Sequence, residues 1–317
     1  MTTRCRICGN DAGNSTFTAR EMMLATRDAF EYVECAACGT LQIAEFPEAP
    51  GRYYPENYYS LQGSGRLERS LKARWMAASL GGSGLLGRVL VRVYGPHPVT
   101  GWQHHAGFTL DSPILDVGCG EGELLRTMKR VGFTDLTGVD PFLTRERRAP
   151  GLRLLRGSLD ALEGPFEFIM MHHSLEHMRE PRAALEAVAR LLPTGGTLLV
   201  RTPVAGTYAW RTYGRDWIQL DAPRHLHVLS ERALRLLADR TGYRLERVVY
   251  DSSAFQFWGS ELYAADIPYR PKPSYRNRPS RTLISREQMK RYHARARELN
   301  ARSDGDSAAF YLRRVRS

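Results

Sequence analysis

Four of the five cysteines in the sequence fall into two closely spaced pairs near the amino terminus. The pairs are Cys5 with Cys8 and Cys35 with Cys38, and a glycine directly follows each pair. Each pair can form a tight turn that points two thiolates at one metal ion, and two turns complete a tetrahedral site of four sulfurs. Four thiolates leave no position for water, so we predict a structural zinc ion. Two disulfides are the alternative, but disulfides seldom persist in a reducing compartment.

A glycine-rich segment directly follows a short apolar run. Asp116 ends that run, and Gly118, Gly120 and Gly122 follow at every second position. A ligand can approach a backbone closely only where there is no Cβ, so the segment predicts a small-molecule site at a strand end. The spacing differs from the G-x-G-x-x-G of dinucleotide-binding turns. An acid at this place suits a ligand with an ammonium group and a sulfonium better than one with phosphates.

A histidine-rich segment at residues 171–177 could exchange protons near neutral pH. Within it, His173-x-x-Glu176-His177 matches an inverted zinc-protease motif, but the context supplies neither the helical setting nor the further ligands that such a site needs. We predict that Glu176 and His177 contribute to a catalytic site. The alternative is that they only support the loop.

A second histidine segment, residues 217–227, precedes a predicted helix that begins at Ser230. We predict that this connection lies over the mouth of the site, because catalytic residues concentrate on such loops. His225 is the first candidate for the base that removes a proton from the acceptor, and His227 is the second. The alternative is that both histidines only hold the loop in shape.

The elements that must position these residues alternate along the chain. From residue 112 onward, short β-rich runs alternate with helical patterns, which is typical of an α/β fold with a doubly wound, Rossmann-like parallel sheet. Residues 180–192 have the apolar spacing of a helix docked on a sheet. We predict seven strands, near residues 113–117, 135–139, 152–156, 166–171, 196–201, 245–250 and 307–315.

The chain of 317 residues, 43% of them hydrophobic, is long enough for one large domain with a smaller appendage. We predict a zinc-knuckle segment at residues 1–50, a linker or helical lid at 51–105, and a catalytic domain at 106–317 with a capping insertion at 253–300. The sequence has no apolar run long enough to span a membrane and no secretory signal at its start, so we expect a cytoplasmic protein.

The formal net charge of +11 suggests an anionic partner. Only four of the 45 basic residues are lysines, and the arginines are spread along the chain without a nucleic-acid-binding motif. We therefore expect an anionic small molecule, such as a nucleotide-linked sugar or a phosphorylated lipid, rather than nucleic acid. Residues 85–94 mix apolar side chains with Arg88 and Arg92, so weak attachment to a membrane surface is an alternative to simple packing.

The glycine-rich segment resembles the first motif of class I S-adenosylmethionine-dependent methyltransferases. The run Leu136-Thr137-Gly138-Val139-Asp140 resembles their second strand, which ends in an acid. The resemblance implies S-adenosylmethionine as cofactor, with Asp116 and the glycine loop on its methionine part and Asp140 on its ribose. Relatives often have an acid after the third strand that contacts the adenine. This chain has Gly157-Ser158 there, which makes Ser158 the candidate.

Residues 171–177 resemble the region after the fourth strand in methyltransferases related to ubiquinone O-methyltransferases and to zinc-knuckle sugar C-methyltransferases. The resemblance implies that His172 and His173 lie along the cofactor, and that the last strand of the sheet is antiparallel. We expect O- or C-methylation of a small or glycan-type acceptor. The alternative is a zinc-ribbon RNA-binding protein or RNA methyltransferase, although the segment lacks the Asn/Asp-Pro-Pro-aromatic turn of many base-amine methyltransferases.

Overall fold

The computed structural model describes residues 4–54, 65–269 and 284–315, and within these residues the chain forms twelve strands and nine α-helices. The strands are β1 Ser15–Arg20, β2 Ala29–Glu34, β3 Leu41–Ile43, β4 Ile114–Val117, β5 Leu136–Asp140, β6 Arg147–Ala149, β7 Leu152–Arg156, β8 Phe168–His172, β9 Thr197–Pro203, β10 His227–Val228, β11 Tyr243–Tyr250 and β12 Ser307–Arg314. The helices are α1 Arg66–Ser79, α2 Leu85–Tyr94, α3 Pro98–Ala106, α4 Glu123–Val131, α5 Pro181–Leu191, α6 Tyr208–Tyr213, α7 Glu231–Arg240, α8 Phe255–Ala264 and α9 Arg286–Ala301.

Eight of the strands form one sheet in the order β11-β12-β9-β8-β4-β5-β7-β6. Strands β9, β8, β4, β5 and β7 run parallel, whereas β12 is antiparallel to both of its neighbours, as expected. All seven predicted strands are present, and the α/β class is confirmed. The count of seven was one too low, because β6 adds a three-residue antiparallel edge strand. Its sequence, Arg-Arg-Ala, has no apolar alternation that could have predicted it.

Helices cover both faces of this sheet, and successive residues of a central strand show the two layers. In β8, Ile169 and Met171 pack with α5 and α7 on one face, whereas Phe168 and Met170 pack with α3 and α4 on the other. Alternate residues of a strand point to opposite faces, so a strand covered on both sides must be apolar throughout. The carboxyl ends of β4, β5 and β8 therefore meet at one edge, where their loops can form a site.

The cysteine-containing segment joins the rest of the chain through a second sheet. Strands β1, β2 and β3 form an antiparallel meander, and β10 adds to it by pairing His227 with Gln42 and Val228 with Leu41. Because β10 lies directly after the predicted histidine loop, this sheet fixes one end of that loop to the amino-terminal segment.

The segment before the large sheet is helical. A break at residues 80–84 separates α1 from α2, as the glycines at 81, 82 and 84 predict. An aromatic run with four tyrosines, residues 53–59, precedes α1 in the sequence. Residues 55–59 of this run lie outside the described residues, as do residues 270–283 of the predicted insertion. Among the described residues, no helix combines the length and apolar character that crossing a bilayer requires.

Candidate active site

The glycine loop follows β4 and leads directly into α4. Its three glycines all have positive φ, between 53° and 78°, a region that residues with a Cβ rarely occupy. A Cβ on Gly118 would lie 2.5 Å from the Cβ of Ser174, and one on Gly122 would lie 2.6 Å from the Leu154 side chain. The loop is therefore restricted to glycine by conformation and by space. It leaves backbone and the amino end of α4 exposed to an incoming ligand.

Asp116 is the third of the four residues of β4, and only 4% of its surface is exposed. Its Oδ1 atom is buried and has no hydrogen-bond partner among the described residues. Burial, and next the negative charge of Asp140, raise the pKa of Asp116 to about 7. A buried carboxylate that lacks a partner is costly, so its position beside the glycine loop suits a ligand that brings a positive charge or a hydrogen-bond donor.

Asp140 ends the neighbouring strand β5 and holds the glycine loop in place. Its Oδ2 accepts a hydrogen bond from the Gly120 amide at 2.8 Å, and its Oδ1 accepts one from the Phe142 amide at 2.8 Å. A carboxylate can accept about four hydrogen bonds, so both oxygens retain capacity for hydroxyl donors. Asp116 and Asp140 thus form an acidic floor at the ends of two adjacent strands.

Tyr54 bridges the two sides of this cleft. Its ring stacks on Phe142 with centroids 5.5 Å apart and an angle of 15° between the planes. Its hydroxyl lies 3.1 Å from Nδ1 of His177. Tyr54 therefore connects the turn after Asp140 with the histidine segment after β8. Tyr54 belongs to the aromatic run at residues 53–59, for which the sequence indicated no role.

Glu176 is fully buried and both of its carboxylate oxygens are bound. Arg201 donates to Nε2 of His173, so the proton of that ring is on Nδ1, which donates to Oε1 of Glu176 at 3.2 Å. Thr202 donates to Oε2 at 3.1 Å. Burial alone would raise the pKa of Glu176, but the hydrogen bond and charge of His173, followed by the nearby charges of His225 and His177, lower it to about 2. Glu176 is therefore ionised at neutral pH.

His177 and His225 lie side by side, with ring centroids 4.8 Å apart and a steep angle of 67°. The Nδ1 of His177 is 2.9 Å from the Arg224 carbonyl, and the Nδ1 of His225 is 2.7 Å from the Gln219 carbonyl. A carbonyl can only accept, so both rings carry a proton on Nδ1 and keep a lone pair on Nε2. Burial, and next the charge of His225, lower the pKa of His177. His177 is therefore neutral at pH 7 and able to accept a proton.

Three buried charges fix the loop that contains His225. Arg224 forms an ion pair with Glu21 at 2.9 Å and another with Asp221 at 2.6 Å, and neither Arg224 nor Glu21 is exposed. Asp221 also lies 3.9 Å from Nε2 of His225, and the Tyr32 hydroxyl donates to the His225 carbonyl at 2.9 Å. Residues of the amino-terminal segment thus hold the histidine loop from two directions.

The other predicted site residues have different surroundings. His227 is fully buried in β10, with Nδ1 3.2 Å from the Met178 carbonyl and burial lowering its pKa to about 4. His172 packs its ring on Trp102 with centroids 4.5 Å apart, and its buried Nε2 has no partner within the described residues. Ser158 is exposed after β7.

The four cysteines of the two pairs come together, with their sulfur atoms all within 4.8 Å of one another. The Cys5 and Cys38 sulfurs are 3.6 Å apart, and the Cys8 and Cys35 sulfurs are 3.5 Å apart. These distances exceed the roughly 2 Å of a disulfide bond. They are close to the roughly 3.8 Å expected for two thiolates bound tetrahedrally to one zinc ion at about 2.3 Å. The residues therefore fit a four-sulfur metal site.

Sequence reasoning missed several residues of this site. Glu21 and Arg201 gave no signal of their own, because each acts through a partner that is distant in the sequence. The one available signal was Arg224 between Asp221 and His225 in a loop next to a strand end. An arginine within such a loop is often bound to an acid, but the sequence does not indicate which one.

Comparison with known proteins gives a family match over the central part of the chain. Residues 95–248 match the family model described as a methyltransferase domain. The chain is 34% identical over 130 residues to the ubiquinone biosynthesis O-methyltransferase of Xanthomonas oryzae pv. oryzae strain PXO99A, which covers 36% of this chain and 53% of that protein. It is 30% identical over 132 residues to that of Pectobacterium atrosepticum, which covers 37% and 54%. The chain thus spans about half the length of the curated relatives it matches.

Solved structures with a similar arrangement include an S-adenosylmethionine-dependent methyltransferase from Mesorhizobium loti. It is 16% identical, covers 64% of this chain and 91% of that chain, and superimposes with a TM-score of 0.40. The family match at residues 95–248 includes the glycine loop and both histidine segments.

Proposed function

We propose that this chain, which contains a class I S-adenosylmethionine-dependent methyltransferase domain, methylates a small or glycan-type acceptor. The observation that carries the proposal is the buried Oδ1 of Asp116, which lies beside a loop restricted to glycine and has no hydrogen-bond partner in the part of the chain that the structure describes. When bound, S-adenosylmethionine supplies an electrophilic methyl group on a sulfonium. The residues around the cleft would bind it and handle the acceptor's proton.

The chemistry of the donor set fits the cofactor part by part. Asp116 offers its buried Oδ1, which has no partner within the described residues, to the ammonium group of the methionine moiety, and Gly118 and Gly120 let that moiety approach the backbone of the loop closely. Asp140 offers its remaining acceptor capacity to the ribose hydroxyls. The rings of Trp102 and His172 pack on each other at the end of β8, and Ser158 remains the candidate at the adenine end.

Removal of the acceptor's proton is assigned to His225, with His177 beside it. The Gln219 carbonyl holds the Nδ1 proton of His225, which would leave Nε2 to accept the proton of an acceptor hydroxyl. Asp221, 3.9 Å from that nitrogen, would stabilise the imidazolium that forms. A general base of this kind typically contributes a factor of about 10² to 10⁴.

Oxygen is the first candidate for the accepting atom because the matched relatives are named as O-methyltransferases. A carbon next to a carbonyl is the second, since the same histidine could remove its acidified proton. The net charge of +11 favours an anionic acceptor.

The amino-terminal segment is proposed to hold one structural zinc ion on Cys5, Cys8, Cys35 and Cys38, and to act as a support for the histidine loop. We also propose that the chain divides into three segments, at residues 1–50, 51–105 and 106–317. Strand β10 and the Glu21–Arg224 pair cross from one part to the other. The zinc ion would therefore affect the reaction indirectly, because its segment holds the histidine loop, and it would not contact the reacting atoms.

Turnover is tested by incubating the full chain with S-adenosylmethionine and a panel of acceptors, and measuring S-adenosylhomocysteine. The panel contains hydroxylated quinols, nucleotide sugars, sugar phosphates and short RNA. We expect product with an anionic hydroxylated small molecule and none with RNA. Methylation of RNA alone would contradict the proposed acceptor class, and loss of all turnover in His225→Ala would agree with the assigned base.

A further inference from the structure

The outward face of α2 exposes an apolar stripe to solvent. Leu85, Val89 and Val93 are four residues apart and lie on one side of the helix, with 74%, 48% and 66% of their surfaces exposed. Leu86 borders the stripe and is also exposed. Exposed apolar residues are ordinary when scattered, but a continuous stripe on one helix indicates an interaction surface.

The opposite side of α2 is seated on α1, which fixes the stripe outward. Gly87 is buried at this contact, and a Cβ there would lie 2.6 Å from the Arg74 carbonyl oxygen and 2.7 Å from the Ala78 Cβ. The two helices are therefore packed as closely as a glycine allows. The apolar stripe faces away from this contact and lies on the surface, not in the core.

The surface that carries the stripe is strongly cationic. Arg88 and Arg92 are exposed and border the stripe along one side, one helical turn apart. Between Glu68 and Asp111 the sequence contains no acidic residue. It contains five basic ones, which are Arg69, Lys72, Arg74, Arg88 and Arg92, and of these Lys72 pairs with Glu68 and Glu123. An apolar stripe with arginines at its border is the pattern of a helix that lies in a membrane interface.

An arginine-lined cavity of about 510 Å³ lies between α1 and the carboxyl end of α4. Arg69, Arg74 and Arg130 line it, and the buried Nε of Arg69 has no hydrogen-bond partner among the described residues. Arg74 connects the two features, since its side chain lines the cavity and its carbonyl abuts Gly87 of α2. Guanidinium groups match phosphate oxygens in geometry and charge. The cavity therefore suits a phosphate group.

We propose that α1 and α2 form a docking surface for a bilayer of anionic phospholipids. The stripe of Leu85, Val89 and Val93 enters the interface, Arg88 and Arg92 contact the anionic headgroups, and the cavity at Arg69 binds a lipid phosphate. A second copy of the chain fits this surface less well, because a twofold interface would bring the arginines of one copy against those of the other. A helix of ten residues lies on the bilayer and does not span it.

This proposal does not depend on the acceptor or on turnover. It is tested by sedimentation of the full chain with vesicles of phosphatidylcholine alone and of phosphatidylcholine with 30% phosphatidylglycerol, in low salt. We expect binding to the anionic vesicles at least tenfold tighter than to the neutral ones. Soluble glycerol phosphate at millimolar concentration distinguishes a free phosphate from a bilayer, and we expect it to displace little protein.

Two double variants test the contribution of the arginines and the contribution of the apolar stripe separately. Arg88→Gln with Arg92→Gln should weaken binding to anionic vesicles about 30-fold, since each arginine near an anionic surface contributes about a factor of five. Its matched control is Arg182→Gln with Arg232→Gln, two exposed arginines on α5 and α7. Val89→Ser with Val93→Ser should weaken binding by at least tenfold, with the exposed Val315→Ser as control.

All of these positions are exposed, so the variants should fold, and thermal melting checks that they do. Equal binding to neutral and anionic vesicles would overturn the proposal. Unchanged binding of both double variants would also overturn it. A wild-type chain that is dimeric in solution and becomes monomeric in Val89→Ser with Val93→Ser would assign the stripe to a second copy instead.

Discussion

Glu21 and Arg224 form an ion pair at 2.9 Å with no exposed surface on either side chain, although they lie in opposite halves of the chain. Arg224 directly precedes His225, and Glu21 lies between two strands of the cysteine-containing sheet. The pair therefore fixes the position of the proposed base, His225, relative to the amino-terminal segment. A buried ion pair is weak evidence for stability on its own, but breaking one leaves an uncompensated charge.

Glu21→Gln should lower the free energy of unfolding by about 1–3 kcal/mol, because Arg224 keeps Asp221 but loses one of its two acidic partners. We expect kcat to fall more than the affinity for S-adenosylhomocysteine, since Glu21 acts on the loop and not on the cofactor. Chemical denaturation, kinetics and calorimetry measure the three quantities. Glu45→Gln, at an exposed position of the same segment, is the control. A parallel loss of cofactor affinity would argue against a positioning role.

Cys38→Ser should remove the metal and lower turnover together. Purified wild-type chain should contain about one zinc ion, because four thiolates complete one tetrahedral site. The Cys38 carbonyl accepts a hydrogen bond from Ser230, directly after the histidine loop, at 2.5 Å, so loss of the turn should disturb that loop. Elemental analysis and turnover test this, with Ser15→Ala, at an exposed position of β1 in the same segment, as the control. Wild-type protein without zinc would contradict the metal assignment.

His225→Ala should lower turnover by about 10² or more while cofactor affinity stays nearly unchanged. His177→Ala should have a smaller effect and shift the pH profile, because His177 has a lowered pKa and stands beside His225. His293→Ala, on α9, is the matched control. Rates of product formation between pH 5 and 9 measure both effects. Turnover by His225→Ala equal to that of the wild type would remove His225 from the mechanism.

His227→Gln should make the protein less sensitive to acid. Burial, and next the charge of Arg6, lower the pKa of His227 to about 4, so the unfolded chain takes up a proton below pH 6.5 that the folded chain resists. Stability is therefore full above pH 6.5 and falls towards pH 4, by about 3 kcal/mol for this residue. Urea denaturation at pH 7 and 4.5 should show a smaller difference in the variant. An unchanged difference would mean that other groups dominate.

Most of the large sheet could be predicted from the sequence, because local patterns indicate its strands and helices. Strands β4 and β5 have apolar runs that end in Asp116 and Asp140, and the helix after Ser230 has a capping residue and an apolar face. The antiparallel edge strand β6 was missed because it is polar. The pairing of β10 with β3 was missed because it joins residues far apart in the sequence, and no local pattern specifies such a partner.

The candidate site likewise contains residues that could be predicted from the sequence and residues that could not. The glycine loop and its two acids follow from residue type and spacing, since a positive φ restricts all three glycines and close neighbours also restrict Gly118 and Gly122. The bridge formed by Tyr54 and the pairing of Glu21 with Arg224 depend on tertiary contacts, so the sequence could offer only the aromatic run and the charged loop. His227 was a candidate for chemistry by its position in that loop, but the structure buries it in a strand.

The central claim is that Asp116 and the glycine loop bind S-adenosylmethionine, and calorimetry with S-adenosylhomocysteine tests it most directly. We predict one site per chain, with affinity that declines below pH 7 because the pKa of Asp116 in the free protein is about 7. Asp116→Asn should weaken binding at least 30-fold, since a buried charge pair is lost, whereas Asp111→Asn, an exposed acid before β4, should bind normally. No binding by the wild type, or equal binding by Asp116→Asn, would contradict the account.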